Sequence, residues 1–247
     1  RGLGDVYKRQ LTYIAVILLL GEVTKQKKEI TYLTATGSAI CGASAIAITS
    51  PAVNAEPEDV SISLLSVFIA AIFGLFMLIP FLSVLFELDN QSYALLSGSV
   101  LQFTGFVKAS IKTMPPLSMT VPTEDVPTIA LSVKAVRYLG LLIVIPLFAS
   151  MIKKRLFLPW YLWAFLAAGI SGSLIYYNNP SFYDNVLIPL IKPVYLILWS
   201  IAMAAIGLNV DAKQLLSNNG IKALIIAFVG FIVAVSVFLI TLPLIKL

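Results

Sequence analysis

The sequence predicts an all-α membrane protein, a polytopic bundle of transmembrane helices. Hydrophobic residues make up 59% of the 247-residue chain and charged residues only 12%. The mean hydropathy is +0.96, far above the average of soluble domains. Apolar runs of about 20 residues, the length that crosses a bilayer, recur along the whole chain. Because the connections between these runs are short, we expect no soluble domain with chemistry of its own.

The apolar runs define the predicted elements in chain order. The run at 11–22 is too short to cross and is interpreted as the end of a helix. The fuller spans are 31–50, 60–86, 93–111, 128–151, 159–177, 186–208 and 222–245. The prediction is therefore about seven spans plus a partial one.

The first ten residues are treated separately. Residues 5–10, Asp-Val-Tyr-Lys-Arg-Gln, resemble a translated sequencing adaptor, and the chain does not begin with Met. We therefore expect residues 1–10 to be non-native and residues 11–247 to be the C-terminal part of one transmembrane transporter domain.

Lysine and arginine residues cluster in alternate connections, which predicts an orientation. The loops at 54–59 and 178–184 contain neither. By the positive-inside rule the basic connections are cytoplasmic, whereas these two loops, the loop at 112–127 and the C-terminus are external. This topology fits a multi-pass protein of the inner or plasma membrane. The basic residues are Lys25, Lys27, Lys28, Lys153, Lys154, Arg155, Lys213 and Lys222.

Composition argues against several classes of function. The chain has no His and a single cysteine, Cys41, so an internal disulfide is impossible and the commonest general base and metal ligand is missing. We expect no enzyme activity, no catalytic residue, no metal and no cofactor. The net charge is +5. The basic residues cluster at span ends, where lipid headgroups rather than nucleic acid explain them. No nucleotide-binding motif is present, so ATP coupling within this chain is not expected.

Every ionisable residue that falls well inside a predicted span is a cation: Lys108, Lys134, Arg137 or Lys192. A charge at the centre of a bilayer costs about 3 kcal/mol or more, so such residues are interpreted as parts of a substrate path. Their shared sign points to an anion. Lys108 and Lys192 are closer to span ends, where a long side chain reaches the interface.

Lys134 and Arg137 are the strongest candidates for binding an anion. They are three residues apart and so share a helix face, which suits capture of a tetrahedral oxyanion by a point charge and a planar fork. The alternative is that they pair with the external acids Glu124 or Asp125.

A stretch of small residues, 37–47, is the second candidate region. Its backbone is accessible, and Gly42 together with Pro51 permits local unwinding, as in transporters that expose helix ends to a substrate near the midplane. The alternative is a close-packing face, because Ser38 and Gly42 form a pair of small residues one helical turn apart.

The same stretch, Gly-Ser-Ala-Ile-Cys-Gly-Ala-Ser-Ala-Ile, resembles the signature segment of the YeiH-like sulfate exporter family of bacterial and archaeal membrane proteins. Four further motifs follow in the family's order and extend the resemblance to the C-terminus. They are 98–107, 133–137 with Pro146, 159–160 and 202–209.

The resemblance implies an inverted-repeat transporter with broken helices and several helices before residue 37. Together with the arguments from charge and spacing, it leads us to predict substrate-binding roles for six residues: Arg137, Lys134, Gln102, Ser38, Gly42 and Ser44. Gln102 stands where the family pattern usually has a His. A proton-accepting step is therefore not expected there, although an amide can still donate to an oxyanion.

The leading hypothesis is a secondary transporter that exports sulfate or a similar small inorganic anion. Its partners would be that anion and the lipid bilayer, with no nucleic acid and with a homo-oligomer left open. An anion or organic-acid channel is one alternative. A non-transporting membrane scaffold or sensor is the other.

Overall fold

The computed structural model of the chain describes residues 2–113, 125–154 and 159–245. Within these ranges the chain is helical almost throughout and contains no strand, so the predicted all-α membrane fold is confirmed. By length and composition, four helical stretches of the described residues are able to cross a membrane. They are Pro57–Leu85, Val126–Lys153, Pro180–Ala202 and Asn218–Leu242.

The helices are numbered in chain order. Three π-helical turns interrupt or extend them: Gly37–Cys41 after α2, Gly74–Leu78 after α4, and Tyr183–Leu187 after α11. The α-helices are α1 (Gly2–Val23), α2 (Lys28–Thr36), α3 (Ala43–Thr49), α4 (Pro57–Phe73), α5 (Ile79–Leu85), α6 (Asn90–Val100), α7 (Thr104–Thr113), α8 (Asp125–Tyr138), α9 (Leu141–Lys153), α10 (Trp160–Asn178), α11 (Pro180–Phe182), α12 (Ile188–Asn209) and α13 (Asn218–Ile245).

Helices α2 and α3 form a re-entrant hairpin, which we call the first hairpin (28–49). Lys27, just before α2, places its Nζ 2.9 Å from both Glu56 Oε2 and Asp59 Oδ2, which follow α3. A crossing of the roughly 30 Å hydrocarbon core would hold these groups on opposite sides. The chain reverses at Gly42, whose φ of +68° and ψ of −125° suit a residue without a side chain. The first hairpin therefore returns to the side from which it enters.

Helices α6 and α7 form the second hairpin (90–113). Tyr93, near the start of α6, donates from its Oη to the carbonyl of Ser110, near the end of α7, at 2.9 Å. The two outer ends are therefore adjacent, and the chain reverses through 101–103, where Leu101 has the extended φ and ψ of −62° and 136°.

The long helices fix which side each hairpin enters from. Helices α1 and α13 run antiparallel, because Gln26 Nε2 donates to the carbonyl of Asn219 at 2.7 Å and Ile17 lies against Gly230. Helices α4 and α13 run parallel, with the rings of Phe73 and Phe228 5.4 Å apart. The connections at 24–27, 50–56 and 210–217 consequently share one side, which we call the basic side. The second hairpin enters from the opposite side.

The predicted placement of two segments was wrong. The prediction treated 31–50 and 93–111 as crossings and put the loop at 54–59 outside, whereas that loop lies beside Lys27 on the basic side. The reason is that a hydropathy pattern gives only the length of an apolar run. A hairpin that turns back at the midplane and a helix that crosses the bilayer both need about 20 apolar residues. Each removed crossing reverses the side of all connections that follow it. Because two are removed, the connections after the second hairpin keep their predicted sides. Residues 114–124, most of the loop predicted at 112–127, and Arg155 lie outside the described residues.

The chain contains two consecutive units of opposite orientation. In each, a hairpin is followed by a long helix parallel to its first arm: Gly37 faces Val67 of α4, and Gly98 faces Ala130 of α8. The sequence repeats as well. Gly-Ser occurs at 37, where the π-helical turn begins, and again at 98, in the last turn of α6; the returning helix starts six residues after each glycine, at Ala43 and at Thr104. Such inverted repeats characterise many secondary transporters.

The two-hairpin topology makes a labelling prediction. In a Cys41→Ala background, Lys25→Cys, Glu58→Cys and Lys154→Cys should share one accessibility, and Gln91→Cys should have the other. All four positions are exposed. By the positive-inside rule the first three should resist an impermeant thiol reagent in intact cells. Rapid labelling of Glu58→Cys together with protection of Lys25→Cys would restore the crossing at 31–50.

The ion pairs at the entrance of the first hairpin make a second prediction. The hydrogen bonds that Lys27 donates to Glu56 and Asp59 raise the pKa of Lys27, and Lys27 lowers the pKa of Glu56. The side chain of Asp59 is only 3% exposed. Lys27→Met should therefore lower the free energy of unfolding by about 1–2 kcal/mol, because a buried carboxylate loses its cation. Glu56→Gln, at an exposed position, is the matched control and should have little effect in thermal unfolding. Equal stability of Lys27→Met and wild type would contradict this account.

Candidate functional site

The tips of the two hairpins meet inside the protein, at the carbonyl ends of their first arms. The last carbonyl groups of a helix have no partner within the helix. Here the π-helical turn that extends α2 ends at Cys41, and α6 ends at Val100. Five tip carbonyls point to one region, and in a membrane interior they need donors from elsewhere in the protein. They belong to Ser38, Ala39, Ile40, Leu101 and Gln102.

Lys134 of α8 supplies three of these donors. Its Nζ donates to the carbonyls of Ile40 at 2.8 Å, Leu101 at 2.7 Å and Gln102 at 2.6 Å. An ammonium group has three N–H bonds. All three are therefore used, and Lys134 joins both hairpin tips.

Arg137, one turn further along α8, bridges the same tips. Its Nε donates to the carbonyl of Ala39, its Nη2 to Ser38 and its Nη1 to Leu101, each at 2.9 Å. Its side chain and that of Lys134 are each 1% exposed. We call Lys134 and Arg137 the cation pair. Direct capture of an anion by this pair stays a prediction, but in this conformation Lys134 has no N–H left for one.

The cation pair carries more positive charge than its surroundings offset. The hydrogen-bond partners of Lys134 and Arg137 in the described part of the chain are backbone carbonyls, and no ion pair with a carboxylate involves either residue there. Glu124, a predicted partner, lies outside the described residues, as does the side chain of Asp125. A helix C-terminus carries about half a negative charge. Two such ends offset roughly one of the two positive charges, so an excess of about one remains near the tips.

A cavity of about 760 Å³ lies beside the tips, on the side of the returning helices α3 and α7. The polar side chains of its lining include Ser44, Thr104, Tyr138 and Lys108. The hydroxyls of Thr104 and Tyr138 form a hydrogen bond with each other. Because α7 begins at Thr104, the N-terminal end of this helix, which carries a partial positive charge, lies at the cavity wall.

The predicted site residues occupy three places: the cavity lining, the interior behind it and the chain reversal. Ser44 lines the cavity. Ser38 and Gln102 are fully buried behind it with the cation pair. Gln102 Nε2 donates to Tyr13 Oη at 3.0 Å, while its Oε1 and the hydroxyl of Ser38 have no protein partner. Gly42 forms the reversal, confirming the predicted unwinding, and faces the ring of Phe103.

Residues of the segment predicted to be non-native reach the back of this site. Arg9 Nη1 donates to Ser99 Oγ at 3.1 Å, and Gln10 Nε2 donates to the carbonyl of Arg137 at 3.0 Å. Arg9 and Gln10 belong to α1, which runs without a break from Gly2 to Val23. The non-native origin of residues 1–10 stays a prediction.

The sequence interpretation missed two parts of the site. It assigned Lys108 to the interface, because a continuous helix would put that residue near its outer end; in the second hairpin Lys108 is one turn from the tip and lines the cavity. Lys192, assigned likewise, is exposed on α12. The spacing of Thr104 and Lys108, four residues apart after a break at Gln102, was an available signal. No sequence signal could have identified the carbonyl partners of the cation pair, because every residue carries a backbone carbonyl.

The cation pair makes a stability prediction. Arg137→Gln should lower the free energy of unfolding by roughly 3 kcal/mol, because up to three buried carbonyls lose their donor at about 1–3 kcal/mol each. Arg137→Lys should recover part of this loss, since a single ammonium cannot reproduce the fork. Thermal unfolding in detergent measures both, with exposed Lys192→Gln as the control. An unchanged midpoint for Arg137→Gln would show that the guanidinium is not a structural bridge.

Comparisons with known proteins identify the family. The family described as Conserved hypothetical protein 698 matches residues 5–227. A UPF0324 membrane protein of Archaeoglobus fulgidus is 26% identical over 234 residues, covering 94% of this chain and 65% of the relative. One of Brucella suis is 31% identical over 212 residues, covering 81% and 58% respectively.

The chain thus spans about three fifths of the length of these relatives. No solved structure matches it. The family match covers both hairpins, the cation pair and the cavity, and it confirms the YeiH-like resemblance carried by the sequence motifs. The chain belongs to the Conserved hypothetical protein 698 family of membrane proteins.

Proposed function

We propose that this protein is a secondary transporter of an anion in the cell membrane and works by alternating access. The observation that carries the proposal is the meeting of two oppositely oriented hairpins at a cation pair beside a cavity. In transporters built from inverted repeats, substrate binds near the midplane where broken helices meet. A pair of units related in this way can present one site to either side.

The anion preference follows from charge. The carbonyl ends of α2 and α6 are occupied by the cation pair, so the free helix end at the cavity is the positive one, that of α7. An anion in the cavity would offset the excess charge of the tips and meet Lys108 directly. A cation would meet repulsion from both. Intramembrane charges of one sign beside a cavity are typical of substrate paths.

The hairpin tips are suited to be the moving part. Each tip is a short break between two short helices. Hydrogen bonds from side chains of α8, rather than an unbroken run of helical hydrogen bonds, hold each tip in place. Breaking and remaking contacts at one tip while the other stays bound to α8 would open the cavity to one side at a time. An ion gradient would supply the driving force.

Solute counterflow in vesicles tests the proposal. Vesicles containing the protein are preloaded with one unlabelled anion of a panel that includes sulfate, sulfite, acetate and 2-naphthoate, and the same labelled anion is added outside. At least one anion should accumulate transiently, with saturation, as expected for exchange at a single site. Conductance without saturation would instead indicate a channel, and no anion flux at all would favour a scaffold or sensor.

A glycine variant connects this exchange to the first hairpin. Gly42→Ala should reduce the exchange rate at least about tenfold, because Gly42 has a positive φ and an added Cβ would meet the ring of Phe103. Gly169→Ala on α10 is the matched control, since nothing lies within 4 Å of its added Cβ. Exchange by Gly42→Ala at the wild-type rate would remove the hairpin tip from the mechanism.

A further inference from the structure

We infer that the cavity beside the hairpin tips takes an organic anion with a flat apolar body, an aromatic carboxylate or sulfonate, rather than a bare inorganic oxyanion. The inference names the substrate class for the function proposed above and rests on that function only where the occupant is also transported. The occupancy itself depends on the size, the walls and the polar end of the cavity.

Size is the first argument. The cavity measures about 760 Å³. Pockets of about 300–1,000 Å³ are the size that holds organic ligands and cofactors. A water molecule takes up about 30 Å³ of liquid, so an oxyanion of five heavy atoms would fill only a small part of the space. The rest would have to hold water against an apolar wall.

The walls are the second argument. Phe68, Phe103 and Phe106 contact one another along one wall, with ring centroids 5.2–5.6 Å apart. Tyr195 and Trp199 of α12 form a second wall, their rings 6.2 Å apart and inclined by 18°. Aromatic side chains favour flat apolar partners through stacking and edge contacts. They offer a bare oxyanion no replacement for its hydration shell.

The polar end is the third argument, because it limits the occupant to one anionic group. Thr104 and Lys108 are one turn apart on α7, and Tyr138 and Ser44 line the same cavity. In the described part of the chain no hydrogen bond or ion pair engages the ammonium of Lys108. One cation, hydroxyl groups and the positive end of α7 match one carboxylate or sulfonate head, with the apolar body between the aromatic walls.

Fluorescence of Trp199 gives a direct binding assay. The chain has three tryptophans, and Trp160→Phe with Trp163→Phe leaves Trp199, in the cavity wall, as the reporter. Titration of this protein in detergent with 2-naphthoate should change the emission and saturate. Sulfate should neither change the emission nor compete, and the uncharged 2-naphthamide should bind at least about tenfold more weakly, because it lacks the charge-assisted contacts.

Variants of two lysines on α7 separate the effect of the Lys108 charge on binding from effects of changing any lysine on this helix. Lys108→Gln should raise the Kd for 2-naphthoate at least about tenfold, and Lys108→Arg should restore most of the affinity. Lys112→Gln, one turn further out on α7 and outside the cavity lining, is the matched control and should stay within about twofold of wild type. A Lys108→Gln protein that binds as tightly as wild type would overturn the assignment of the polar end.

The outcomes separate this inference from the proposed transport. Saturable exchange of sulfate without any binding of 2-naphthoate would overturn the substrate class and leave anion transport standing. Binding of 2-naphthoate at Trp199 without exchange in vesicles would support the cavity assignment and count against transport. Decanoate, an anion with a flexible chain, separates a lipid-like occupant from a flat one. Tighter binding of decanoate than of 2-naphthoate would overturn the inference.

Discussion

The structure depends on six hydrogen bonds from Lys134 and Arg137 to the backbone carbonyls of two hairpin tips. A chain that turns back inside a membrane leaves polar groups that water cannot reach, and each unpaired group costs several kcal/mol. Donors on α8 remove that cost for both tips at once, since Leu101 O accepts from both side chains. Without these donors neither reversal would be stable at this depth. Burying Lys134 and Arg137 costs free energy, but both side chains are needed as donors to the tip carbonyls.

This use of the cations also determines what the cavity offers. Because the carbonyl ends of the broken helices are already bonded, the cavity is left with the opposite end of α7, with Lys108 and with hydroxyl groups. Lys108 and the N-terminal end of α7 are both positive, and both lie at the cavity. The structural role of the cation pair and an anion preference are therefore consequences of one arrangement. A variant that removes a cation changes both.

Much of this could be predicted from the sequence, and the failures have physical causes. Hydropathy found the long helices, and the cost of intramembrane charge singled out Lys134 and Arg137 without any structure. Gly42 was correctly predicted as a point of unwinding. The direction of the chain after Gly42 was not predictable, because a broken helix that continues and one that reverses have the same composition. That error also placed Lys108 near an outer end, although it lies one turn from the tip.

Hydrogen exchange at the two tips tests the central claim, that one cation pair holds both hairpins, most directly. Amide exchange of residues 37–43 and 101–105 would be followed in wild type and in Lys134→Met. The account predicts that both segments lose protection together in the variant, because Lys134 donates to Ile40 on one tip and to Leu101 and Gln102 on the other. Loss of protection at only one tip, or at neither, would contradict it.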